Sequence, residues 1–342
     1  MNSVPTPESL PPPPSSSAPW TLLWGGLLAR RRRRLAARAR RLPAPVISIG
    51  NLQLGGSGKT PVAAAVAAHL AERGAHVVVL SRGYRRTTRG VRIASRGAGP
   101  LASAPEVGDE PYLLAEQLPG VAVVVGEDRY LAGVHALEAL SPRPDLFVLD
   151  DGFSHLGLAR DLDLLLFPLA RPWGNGRLLP FGSLREPIAA AHAAQAVILT
   201  GVEGPLERAA QPLAAALARF GFDGPAFAAG HSAAVEPKPA SSRVLLVTGI
   251  AHPERAARTA HAAGLEVLEH LAFGDHHRYP ESSLERIERA RRRTGAEAVV
   301  TTAKDRVKLE GRLAAPLHEL RIAAVLEPSF WAWLDQALGS GR

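Results

Sequence analysis

A doubly wound parallel α/β sheet is the fold class this sequence predicts, and three observations predict it. From Pro45 onward, short apolar runs alternate with longer helical stretches. The runs, at residues 46–49, 77–80, 121–125, 146–149, 162–167 and 196–199, are apolar almost throughout, which suits strands buried on both faces by helices. Four of them lead into glycine-rich or charged sequence, at residues 50–60, 81–84, 126–129 and 150–153. Ligands of open α/β sheets bind outside the carboxyl ends of strands, so one edge gathers all four segments.

Taken in order, the chain starts with a Pro- and Ser-rich leader, residues 1–19, with too little apolar content to offset its ordering entropy; disorder is expected there. In residues 20–41, Trp20, Leu23, Trp24, Leu27 and Leu28 share one helical face, followed by Arg30 to Arg34 and then Arg38, Arg40 and Arg41. A signal peptide places its charge before the apolar run, not after it. The run is also well short of the roughly 20 residues that span a bilayer. The segment reads as an amphipathic helix lying in the membrane interface and drawn to anionic lipid. A helix packed on the protein's own body, or one touching nucleic acid, uses the same residues.

Charge is uneven along the 342 residues. The formal net charge is +8, yet residues 1–41 hold eight Arg and a single acid, Glu8. The rest is close to neutral, which argues against a nucleic-acid-binding body. The absence of Cys excludes disulfides, thiolate nucleophiles and Cys-ligated metals.

Gly55, Gly56, Ser57, Gly58, Lys59 and Thr60 stand between a strand and an Ala-rich helix. Glycines there admit phosphate to backbone N–H groups, Lys59 reaches the β/γ oxygens, and the Thr60 hydroxyl ligates Mg²⁺. The strict GxxxxGK[ST] pattern fails at its first position, Gln53. Asp150 and Asp151 end an apolar strand ninety residues later, where the second motif of such proteins holds the metal of MgATP. Asp109 and Glu110 precede a helix and serve equally as first-turn charges favoured by its dipole. Asp275, His276 and His277 share a loop and suit acid/base or phosphate contact better than metal binding, since adjacent His residues rarely converge on one ion.

Two function classes fit these motifs: an ATP-dependent kinase or ligase, and a membrane-associated switch ATPase of the septum-positioning or DNA-partitioning kind. The latter carries a Lys directly before its two glycines, where this chain has Leu54. The full set of motifs resembles the tetraacyldisaccharide 4'-kinase family. They read Ile49-Gly-Asn51, GGSGKTP (55–61), SRGYR (81–85), GDEP (108–111), Glu127-Asp-Arg129, DDGF (150–153) with His155, LLPFGSLREP (178–187), Asp275-His276-His277 and TAKD (302–305).

The resemblance implies a P-loop kinase-type domain over 42–229 and a smaller α/β domain over 230–342, with strands at 243–249, 265–268, 298–301 and 322–326. It implies γ-phosphoryl transfer from ATP, with Mg²⁺, to the 4'-hydroxyl of an acylated glucosamine disaccharide 1-phosphate in lipid A biosynthesis. The place would be the cytoplasmic face of the inner membrane, as a peripheral protein, with no nucleic acid and no obligate protein partner. Asp109 matches the family's catalytic carboxylate and His276 the histidine paired with it across the two domains. Arg82, Tyr84, Glu110, Arg129, His155 and Glu186 match acceptor and phosphate contacts. One departure is Ser154, where the family has Gln.

Overall fold

The computed structural model describes residues 6–14, 19–250, 253–275 and 277–339. Up to residue 236 the chain forms α1 (Pro19–Ala36), β1 (Val46–Asn51), α2 (Lys59–Glu72), β2 (Val77–Ser81), β3 (Arg92–Arg96), α3 (Ala104–Val107), α4 (Asp109–Gln117), β4 (Ala122–Val125), α5 (Arg129–Ala139), β5 (Leu146–Asp150), β6 (Leu162–Pro168), β7 (Ala196–Thr200), α6 (Gln211–Ala218) and β8 (Ala226–Glu236). Beyond it come β9 (Arg243–Thr248), α7 (Pro253–Ala262), β10 (Glu266–Ala272), α8 (Glu281–Thr294), β11 (Ala298–Thr302), α9 (Ala303–Leu309), β12 (Leu317–Leu326) and α10 (Pro328–Gly339). Two compact units result: residues 1–231 with 324–342, and residues 232–323.

In the first unit the strand order is β8-β7-β6-β1-β5-β2-β4-β3, and the neighbours from β7 to β4 pair in parallel. The expected doubly wound sheet is present. Its antiparallel edge strand, β3, was not expected, because its half-exposed sequence RIASR carries no apolar run. Register sets Ile49 beside Asp150, Gly50 beside Leu165 and Ser81 beside Val125, so the loops after β1, β5, β2 and β4 leave the sheet at one edge.

Alternation within the strands explains why both faces are covered. Ile47, Ile49, Val77 and Val79 bury with Val62, Val66 and Leu70 of α2. Their neighbours Val46, Val78 and Leu80 bury with Ala132 and Ala136 of α5 on the other face. A third cluster holds Phe153, Leu165, Phe167 and Trp173, and Leu10 and Leu28 pack against it.

The second unit carries the parallel order β10-β9-β11-β12. Leu245 and Val247 of β9 pack with Leu284 and Ile287 of α8, while Val244 and Leu246 pack with Ala256 and Ala260 of α7.

Two features differ from the sequence reading. Residues 324–342, expected to continue the C-terminal domain, lie with the first unit. Phe330 and Leu334 of α10 are fully buried in the α2 cluster, and Phe330 meets Phe227 edge-on at 5.3 Å. The leader, expected to be disordered, lies on the first unit over its described residues 6–14. Leu10 packs there, and Trp173 Nε1 donates to the Pro11 carbonyl at 2.7 Å. Among the described residues no helix is long and apolar enough to cross a membrane.

Candidate active site

The chain leaves β1 at Asn51 and enters α2 through Gly58, which sits at φ 79°, ψ 18°, a left-handed conformation open mainly to glycine. No side chain caps α2, so the positive end of that helix faces the loop. Within the loop, the buried Ser57 hydroxyl has no hydrogen-bond partner among the described residues. A Cβ at Gly55 or Gly56 would meet nothing within 4 Å, so this rim of the loop is open. Lys59 Nζ donates to Asn51 Oδ1 at 3.1 Å and lies 3.6 Å from Asp151 Oδ1. The six residues expected to hold phosphate thus form one loop around a helix N-terminus.

Asp150 and Asp151 end β5 side by side but have different partners. Both carboxylate oxygens of Asp150 lie 3.4 Å from Thr60 Oγ1. Burial, with the negative charges of Glu110 and Asp151, pushes Asp150 up to about 7, against the pull of Lys59 and Thr60. A buried carboxylate, neighbouring carboxylates and a hydroxyl form a hard-oxygen set short of positive charge, which fits Mg²⁺. Among the described residues no group of three or more His, Cys, Asp or Glu could hold a metal.

Asp151 turns away from Thr60. Arg185 grips both its oxygens, at 2.7 and 2.9 Å, and also donates to Asn51 Oδ1 at 2.6 Å. Burial alone would raise Asp151, but the Arg185 hydrogen bonds and the Lys59, Arg185 and Arg129 charges outweigh it and hold the acid below its ordinary value. Of the three expected metal ligands, Thr60 and Asp150 face each other and Asp151 belongs to a cationic pair.

The loops that carry the expected acceptor contacts Arg82, Tyr84 and Glu110 pack glycine to glycine. A Cβ on Gly108 would come within 3.1 Å of the Gly83 backbone, and one on Gly83 within 2.7 Å of Val107 O. This close approach sets the start of α4, with Asp109 and Glu110, against the loop carrying Arg82 and the exposed Tyr84. Arg129 is buried at the start of α5, where burial and the nearby Arg82 charge bring it down to about 10. His155 is lowered to about 4 by burial and by Arg129, so its ring is neutral near pH 7. Its Nε2 is buried without a hydrogen-bond partner among the described residues, as is Ser154 Oγ.

His276 lies outside the described residues. Its neighbour His277 stacks on Phe273 at 4.7 Å and bonds to Ser283 Oγ at 2.9 Å, a packing role. Glu186, expected to contact the acceptor, pairs with Arg32 of α1 at 2.6 Å. The sequence reading assigned no role to Arg185 or Asn51, although both stand in quoted motifs. No periodicity or spacing links residues 134 positions apart.

Known proteins resemble this chain throughout. The family model described as tetraacyldisaccharide-1-P 4'-kinase matches residues 16–339. The tetraacyldisaccharide 4'-kinase of Anaeromyxobacter sp. (strain K) is 44% identical over 306 residues, covering 84% of this chain and 78% of its own length. The enzyme of the same name from Geobacter metallireducens is 42% identical over 307 residues, covering 85% and 86%. A crystal structure of LpxK from Aquifex aeolicus, described as its "apo" form in complex with ATP, superposes with a TM-score of 0.73 at 32% identity, over 94% of this chain and 97% of that one. With the family model matching residues 16–339 and relatives more than 40% identical over most of its length, this chain belongs to the tetraacyldisaccharide 4'-kinase family.

Proposed function

We infer that the chain transfers the γ-phosphoryl group of ATP to the 4'-hydroxyl of a tetraacyldisaccharide 1-phosphate, a step of lipid A biosynthesis. The observation that carries this reading is the pairing of an open glycine loop at the N-terminus of α2 with a buried acid, Asp150, facing Thr60. Family membership over 16–339 supplies the acceptor.

In the proposed mechanism, the backbone of residues 55–60 cradles the β- and γ-phosphates and Lys59 moves from Asn51 onto their oxygens. Mg²⁺, when bound, supplies charge neutralisation between the phosphates and is held by Thr60 and Asp150. Asp109 accepts the proton of the acceptor hydroxyl as the new O–P bond forms and the bond to the leaving ADP oxygen breaks. Arg82, Arg129, Tyr84, Glu110 and His155 line the acceptor side, where the two guanidinium groups suit the 1-phosphate. The protein's task is mostly to position groups and neutralise charge. Residues 20–41 hold the enzyme peripherally on an anionic inner-membrane surface, at the cytoplasmic face.

The direct test is an assay of ATP-dependent phosphorylation of a tetraacylated disaccharide 1-phosphate. Wild type should phosphorylate the 4' position, and Lys59→Ala should lower turnover roughly 10²- to 10³-fold. ATP hydrolysis that proceeds unchanged without any phosphorylated acceptor would favour a switch ATPase.

A further inference from the structure

We propose that Arg32 is a positioning residue for phosphoryl transfer, fastening α1 to the two loops that hold Asp151. The helix expected to meet the lipid surface is then also a working part of the reaction centre. This proposal rests on the kinase reading above.

Five consecutive arginines leave α1, and they are not equivalent. Arg30, Arg31, Arg33 and Arg34 are exposed, whereas Arg32 turns inward. Its Nη1 donates to Glu186 Oε2 at 2.6 Å and to the Phe153 carbonyl at 3.2 Å. Its guanidinium carbon lies 4.2 Å from the centroid of the Phe153 ring, a cation–π contact. The side chains of the Arg32–Glu186 pair are only 13% and 11% exposed, so water screens the pair weakly.

Phe153 lies two residues from Asp151, and Glu186 one residue from Arg185, which holds that acid. Phe153 closes the turn that follows Asp150 and Asp151, and Gly152 N in that turn donates to Ile49 O of β1 at 2.9 Å. The Phe153 carbonyl also receives Arg160 Nη2 at 2.8 Å, which fixes it from a second side. Glu186 directly follows Arg185, whose guanidinium holds both Asp151 and Asn51, the partner of Lys59. A continuous set of contacts therefore runs from α1 through Glu186 and Arg185 to the Lys59 ammonium.

Losing Arg32 would leave the Glu186 carboxylate buried with no counter-charge. The nearest replacement cation in sequence is Arg185, so Glu186 would compete with Asp151 for that guanidinium. The damage would come through misplaced Asp151 and Lys59, not through weaker ligand binding.

The test uses the full chain with MgATP and the tetraacylated disaccharide 1-phosphate dispersed in detergent, so that bilayer binding is not required. Arg32→Ala should lower kcat roughly 10- to 100-fold and leave KM for both substrates within about threefold, the range seen when a group supporting an active-site ligand is removed. Arg32→Ala with Glu186→Gln removes the orphaned charge and should regain about tenfold of that loss. Thermal unfolding is followed in parallel. If Arg32→Ala is unfolded at the assay temperature, Arg32→Lys and the double variant carry the test, with kcat in the order double variant and Arg32→Lys above any residual Arg32→Ala activity. A kcat within twofold of wild type for Arg32→Ala, a loss confined to acceptor KM, or a double variant no better than the single would each overturn the proposal. An inactive wild type would strike the kinase reading instead.

Discussion

The phosphate loop and the charged wall beside it are built on opposite plans. Among the described residues, the loop has Ser57 Oγ buried without a hydrogen-bond partner, no side chain capping α2, and nothing within 4 Å of a Cβ placed on Gly55 or Gly56. The wall's charged side chains are paired within the protein: Arg185 holds Asp151 and Asn51, and Arg32 holds Glu186 and Phe153, although Arg185 Nε and Asn51 Nδ2 are buried without a partner among the described residues. The difference separates two tasks. In the loop, Ser57 Oγ and the uncapped N-terminus of α2 suit an anion, while Arg185 and Arg32 each hold two partners and set the distances around Asp151.

That contrast predicts graded losses. The largest belongs to a residue whose proposed partner is the reacting group: Asp109→Ala should cut turnover by roughly 10²- to 10⁴-fold with little change in ATP affinity. Steady-state rates beside nucleotide-binding titrations check it, and a near wild-type rate would remove Asp109 as the base. A smaller loss belongs to the wall. Arg185→Lys keeps the charge but cannot bridge Asp151 and Asn51 with a planar fork, so turnover should fall roughly 10- to 100-fold. If Arg185→Lys instead proved as damaging as Asp109→Ala, the guanidinium would be acting on the reacting phosphoryl group and the division between loop and wall would fail.

The smallest effect is on stability. His155 titrates near 4 in the folded protein and at its ordinary 6.5 when unfolded. Above about pH 6.5 both states are neutral and nothing is lost. Between 6.5 and 4 the unfolded chain takes up the proton and the folded one does not, so stability falls as pH falls. Asp150, raised to about 7, acts with the opposite sign in an overlapping window. The informative quantity is therefore the difference between wild type and His155→Asn in denaturant unfolding. The variant should gain relative stability from pH 6.5 downward, and parallel curves would mean that the ring is open to protonation in the fold.

Much of the sheet could be read from sequence because its physics is local. Strands buried on both faces show as unbroken apolar runs, so β1, β2, β4, β5, β6 and β7 were placed to within two residues. Strand β3 shows no such run, because an antiparallel edge strand needs none. Motifs whose chemistry lies within a few consecutive residues, such as 55–60, were equally plain. Glu186 was harder. Its type suits a ligand contact, and only the inward turn of Arg32, 154 positions away, gives it another partner. The last helix was misassigned for a related reason. The sequence FWAW is aromatic in any setting, and burial against Phe227 and α2 is what places it in the first unit.

From sequence alone came most of the sheet's strands, the glycine-rich loop before α2, the acid pair, the arginine run at 30–34 and, through the order of its motifs, the family. Tertiary structure alone decided which acid faces Thr60 and which is held by Arg185, and which of five adjacent arginines is turned inward. Local patterns follow from backbone geometry and the period of apolar residues, which neighbours in sequence share. Partnerships between charged groups depend on burial and distance, and those exist only once segments far apart in the chain have been brought together.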